Sequence, residues 1–89
     1  MPKPALGRIV HVFVDPARNN GGDIAPAMIT RVWKDQGVNL KVVLDGPEEY
    51  WLTSVALYDD RESAEQVTTY RICKDGRRIP AAAFWPPIV

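Results

Sequence analysis

Arg77 and Arg78 stand side by side in a run of four bases, Arg71, Lys74, Arg77 and Arg78, that holds one acid, Asp75. Guanidinium groups grip oxyanions through paired, charge-assisted hydrogen bonds, so these two are candidates for a small anion site. Arg18, Asn19 and Asn20 open a second candidate, the stretch Arg-Asn-Asn-Gly-Gly-Asp that ends at Asp23. Its residue types tolerate positive φ, and such loops form nests of backbone N–H groups around anions. The stretch lacks the Lys-Ser/Thr ending of a phosphate loop, so a plain connecting loop is the alternative. The bases also have a counterweight: six acids, Glu48, Glu49, Asp59, Asp60, Glu62 and Glu65, flank a single base, Arg61. Two solvated faces of opposite sign would give the same pattern.

Large amphipathic rings form the third group: Trp33, Tyr50, Trp51, Tyr58 and Trp85. Some must build the core. The surplus can grip a proline-rich peptide, cage a modified lysine or stack on a nucleobase. Tyr50 and Trp51 are neighbours, so on a strand they point to opposite faces. The reading places Tyr50 and Leu52 inward and Trp51 outward. Trp33 and Trp51 are therefore the candidate ligand rings, beside Arg18, Asn19, Asn20, Arg77 and Arg78.

Catalysis has little to stand on. His11 is the single histidine, set between Val10 and Val12 with no nucleophile or carboxylate spaced against it. A half-buried structural role is expected. One cysteine, Cys73, allows no intramolecular disulfide and suits a reducing cytosol. No spaced cluster suggests a metal site, and no cofactor fingerprint is present. The chain reads as a non-enzyme with neither metal nor cofactor.

These residues need elements to hold them. Eighty-nine residues make one domain, and a chain of this size buries roughly 60–65% of its unfolded surface. Helical periodicity is weak, while strand signals recur. Arg8–Val14 is β-branched and aromatic, apolar on both faces except at His11. Ala27–Trp33 is a second run. Val38–Leu44 alternates cleanly, with Val38, Leu40, Val42 and Leu44 on one face and Asn39, Lys41 and Val43 on the other. Glu49–Val55 and Thr68–Cys73 follow. Lys34–Gly37, Asp45–Glu48 and Lys74–Arg77 read as tight turns. Asp15–Pro26 is a long loop, and Asp60–Gln66 forms a short helical turn capped by Asp60 or Ser63.

The order is strand, long loop, three strands joined by tight turns, a helical turn, then a hairpin and tail. That predicts an all-β fold: a small SH3-like antiparallel barrel of five to six strands, with residues 1–6 as a flexible arm. The tail Ala-Ala-Ala-Phe-Trp-Pro-Pro-Ile-Val should supply the closing strand over Ala82–Trp85, with one of Phe84 and Trp85 in the core and the other on the surface. Pro86 and Pro87 cannot donate ladder hydrogen bonds, so pairing should stop there. Trp85, Ile88 and Val89 are candidates for a subunit contact.

Gly7–Val14, Ala27–Val32, Val38–Leu44, Val55–Asp60 and Phe84–Pro87 together resemble small uncharacterised proteins of actinobacteriophages and actinobacterial prophages. Those open on Gly-Arg-x-Val-His and end on Trp-x-Trp-Pro or Phe-Trp-Pro. The matching stretches cover under half of the chain, and Val12-Phe13 stands where Tyr-Val is common. The resemblance implies a phage-type, non-enzymatic small barrel, and it brings no catalytic residues.

Zero formal net charge disfavours general polyanion binding, because nonspecific nucleic-acid affinity needs clustered bases. No apolar run approaches the roughly 20 residues that span a bilayer, and the N-terminus lacks the apolar stretch of a signal peptide. A cytoplasmic interaction module for a host or phage protein is the expected function. The alternatives are an oligomeric sponge for a nucleotide second messenger, acting against host defence, and a nucleic-acid-binding barrel. Homo-oligomerisation is compatible with each.

Overall fold

A computed structural model describes residues 3–34 and 37–87. Seven strands form: β1 (Ile9–Phe13), β2 (Ile24–Val32), β3 (Val38–Val43), β4 (Glu49–Tyr58), β5 (Tyr70–Ile72), β6 (Arg78–Pro80) and β7 (Ala82–Phe84). One short helix, α1 (Arg61–Glu65), follows β4, and a 3-10 turn (Pro16–Arg18) follows β1. Strands β1-β2-β3-β4-β7 close into a barrel, while β5 and β6 pair as a separate hairpin. The mainly-β class and the short helical turn agree with the sequence reading. Among the described residues, no helix is long and apolar enough to cross a membrane.

Two features of the barrel correct the expectation. The sheet is not wholly antiparallel: β4 and β7 run parallel, pairing Ala56 with Ala82 and Tyr58 with Phe84. Parity demands this, because a closed ring with an odd number of strands cannot alternate direction all the way round. The fifth sequence strand, Thr68–Cys73, is not a barrel stave either. Only Tyr70–Ile72 pairs, and it pairs with β6 across the turn at Gly76, whose φ is +87°.

Alternation builds the core as read. Val38, Leu40, Val42 and Leu44 are buried, as are Ala25, Ala27 and Ile29 on β2 and Val10 and Val12 on β1. Small Ala25, Ala27 and Ala83 suit the tight curvature of so narrow a barrel. Trp85 fills its interior. Strand β2 begins three residues earlier than Ala27, where Pro26 had marked the end of a loop. Ile29 exchanges both backbone bonds with the β1 side, Gly7 N–H to Ile29 O and Ile29 N–H to Arg8 O. Odd positions of β2 therefore face β1, and Pro26 faces β3. The β2–β3 ladder ends at Ala27–Val42, one position short of Pro26, which has no N–H to donate to it.

Phe84 and Trp85 point to opposite sides of the closing strand, as expected, yet both are buried, at 2% and 5% exposure. Helix α1 is the reason. It lies over the outside of β7 and encloses a second cluster of Phe13, Ala64, Ala82 and Phe84. Asp60 caps the helix, its carboxylate accepting the Ser63 N–H at 2.8 Å. That bond holds the Asp60 pKa below the usual carboxylate range.

Candidate functional site

The outer surface of β1–β4 carries an apolar band. Ile9 pairs with Met28, Met28 with Lys41 and Lys41 with Trp51, so the four side chains form one row across four strands. Beside this row lie the pairs His11–Pro26 and Val43–Glu49. Trp51 is 60% exposed, Val43 48%, and Ile9 and Met28 46% each. Single exposed apolar residues are ordinary on a protein surface, whereas a contiguous group marks a contact. Lys41 and Glu49 pair across the middle at 3.5 Å. Tyr50, one residue from Trp51, turns inward and is half-buried, so the expected split of these rings holds.

Trp33 lies just past the end of β2. Its indole N–H donates to Asn39 Oδ1 at 2.9 Å, and the Arg31 guanidinium sits 4.0 Å above its ring. Asn39 also accepts the Ser54 N–H at 3.0 Å. One buried side chain thus links β2, β3 and β4. The register slips on both sides of it, between Ile29 and Arg31 on β2 and around Ser54 on β4. Arg31, Trp33, Lys34 and Ser54 line an open depression of about 760 Å³. Asp35 and Gln36, from the tight turn read there, lie outside the described residues.

The loop after β1 is built rather than open. Asn19 is buried: its amide donates to Gly22 O at 3.0 Å and Ile24 O at 3.1 Å, and its oxygen accepts the Asp45 N–H at 2.6 Å. No donor remains for a ligand. Asn20 takes a φ of +50° and donates to Asp45 Oδ2. Arg18 pairs with Glu48 at 2.5 Å and lies over the Tyr50 ring; the bond holds the Glu48 pKa down and the Arg18 pKa up. Of the three candidates, Arg18 alone faces a cavity.

The basic run disperses. Arg77 pairs with Asp75 at 3.2 Å, and Arg78 lies over Tyr70. Arg71, on the opposite face of the hairpin, turns toward the barrel, where it lines an open cavity of about 500 Å³ with Arg18, Tyr50, Leu52, Lys74 and Ile79. Its Nε and Nη2 are shut from solvent without a hydrogen-bond partner. Burial pushes its pKa down. The sequence reading did not single out Arg71, although it shares a strand face with Cys73, a residue type that prefers burial.

Asp15, Cys73 and Asp75 bring ligand atoms within 4.8 Å of one another. The Asp15 oxygens already accept the Ala17 and Lys74 N–H groups. Asp75 holds the Arg77 N–H and guanidinium. Burial pushes the Cys73 thiol up, away from the thiolate a metal needs. The trio reads as a hairpin clamp.

His11 is half-buried, edge-on to Phe84 with centroids 5.8 Å apart, and burial lowers its pKa. Trp85 belongs to the barrel core rather than to a surface. Ile88 and Val89, the other interface candidates, lie outside the described residues. Comparison of the chain with protein-family models, curated proteins and solved structures finds no match.

Proposed function

We propose that this protein is a non-enzymatic interaction module of the SH3-like barrel type, which docks a host or phage protein on the outer face of β1–β4. The row Ile9–Met28–Lys41–Trp51 carries the reading. An exposed indole at one end of a row that also exposes Met28 and Ile9, with the Lys41–Glu49 pair between them, has the aromatic and aliphatic make-up of an interface hot spot. The four-strand meander and the strand that returns between β4 and β1 support the SH3-like assignment. The resemblance in the stretches from Gly7 to Pro87 supplies the phage setting.

The test is capture of a partner from host lysate by wild-type protein, Trp51→Ala and Met28→Asp. Both variants should keep the wild-type melting temperature and lose the partner. An unchanged partner set would remove the reading. A protein that instead self-associates through this face would show a larger mass in solution that falls in both variants.

One observation favours a second reading, sequestration of a small nucleotide. The Trp33 depression combines a ring with Arg31 and Lys34, groups that stack a base and meet a phosphate. Calorimetry against a panel of cyclic nucleotides, with Arg31→Ala as control, decides it; absence of heat with every member sinks it.

A further inference from the structure

Arg71 is the least satisfied charge among the described residues. Its guanidinium Nε and Nη2 are inaccessible to water and bond to nothing. No ion pair among the described residues includes it. The groups that interact with it electrostatically, Tyr50 and Cys73, have ordinary values of 10.0 and 9.0 and so are neutral near pH 7, and burial pushes both further up. A buried guanidinium without an anion is costly, and native proteins keep such a group only when something completes it.

The surroundings are shaped for that completion. The cavity opens between the β5–β6 hairpin and the inner side of β4. Its floor is apolar, made by the Tyr50 ring, Leu52 and Ile79. Lys74 brings one further positive charge, and Arg18, also at the rim, is paired with Glu48. Asp15 is the one unpaired opposing charge of the lining; its oxygens accept the Ala17 and Lys74 N–H groups and so are turned to the backbone. Glu48 is held by Arg18. A volume of about 500 Å³ accepts a small organic molecule.

We propose that this cavity binds a small organic oxyanion, which enters by displacing the side chains that now cover Arg71 Nε and Nη2, so that its carboxylate or phosphate group pairs with the guanidinium while its apolar part lies on Tyr50, Leu52 and Ile79. The Tyr50 hydroxyl, protonated at neutral pH, is available as a donor to the same group. Lys74 supplies charge at the mouth. The site is independent of the docking face, since Trp51 points away from it.

The test is thermal unfolding of the full chain in sodium phosphate and in sodium acetate, each against sodium chloride at matched ionic strength. Wild type should melt higher in phosphate, acetate or both than in chloride, and which anion acts identifies the head group. Arg71→Met removes the fork but keeps the volume. It should melt at or above wild type in chloride, since a buried unpaired charge has gone, and should lose the anion response. Arg71→Lys keeps the charge without the fork, and should weaken anion binding about tenfold or more by calorimetry. Trp51→Ala should respond as wild type does. Equal melting of wild type in all three salts, or an anion response as large in Arg71→Met as in wild type, overturns the proposal; the part common to both is the general stabilisation by excluded salts.

Discussion

Asn19 shows how a side chain that reads as a ligand donor becomes structural. The stretch Arg18–Asp23 carries the residue types of an anion-binding nest, and composition alone cannot separate that from a self-satisfied loop. The difference lies in Asp45, 26 residues away, whose N–H the Asn19 oxygen accepts. Asn19→Ala leaves two carbonyls and one N–H without partners, and should cost about 2 kcal/mol in urea unfolding. A loss under about 0.5 kcal/mol would mean that water replaces all three bonds. His11 adds a pH signature. Burial lowers its folded-state pKa from 6.5, so the unfolded chain takes up the proton first. Stability is therefore full above pH 6.5 and falls as pH drops from there toward the folded-state value. Arg8, Asp59, Asp60, Arg61 and Glu62 share its groove. The depressed carboxylates Glu48 and Asp60 withdraw stability only below their ordinary values of 4.5 and 3.8. His11→Gln should thus flatten the fall of the urea midpoint as pH drops below 6.5. A variant with the wild-type slope across that window would assign the slope to another group. Arg71 counted in the sequence only as one of four bases, for a simple reason. Tyr70 and Ile72 look like the inward pair of their strand, yet both are exposed, at 40% and 77%, and Arg71 and Cys73 face inward instead.

Elements whose register is local were legible, and elements set by a distant partner were not. The alternation of Val38–Leu44 gave β3 its faces because period two needs no knowledge of the neighbour. The Asp60 cap was equally local. Pro26 misled, because whether a proline interrupts a strand depends on which neighbour its nitrogen faces. Strand β4 carries a similar hidden feature. Ser54 has a φ of +52° and marks a bulge that re-phases the strand, so Tyr50 and Leu52 and then Val55 and Leu57 all turn inward. The N–H at this point is held by Asn39. Ser54→Gly should leave stability unchanged or raise it, since glycine adopts positive φ freely. Ser54→Val should cost about 1–2 kcal/mol, because a β-branched residue resists that conformation. Calorimetric or urea unfolding reads both, and a valine variant as stable as wild type would mean that β4 has shifted register to remove the bulge.

Closure is a property of the whole chain, and it explains both the parallel seam and the covered tail. The β3–β4 hairpin joins strands across the short turn from Leu44 to Glu48. The β1–β7 pair joins His11 to Phe84 across nearly the full sequence. Loop-closure entropy makes the second contact the dearer one to form early. It also depends on α1, which must fold over β7 to cover Phe84. The seam should therefore form after the rate-limiting step, with the meander β2-β3-β4 as the nucleus. Leu40→Ala removes a core side chain on β3 and Phe84→Leu shrinks one on β7; each should destabilise by more than the roughly 0.6 kcal/mol a kinetic comparison needs. In stopped-flow urea experiments, Leu40→Ala should chiefly slow refolding, and Phe84→Leu should chiefly speed unfolding. The reverse pattern would place the β1–β7 contact in the nucleus, and would make the tail the organiser of the barrel rather than its last stave.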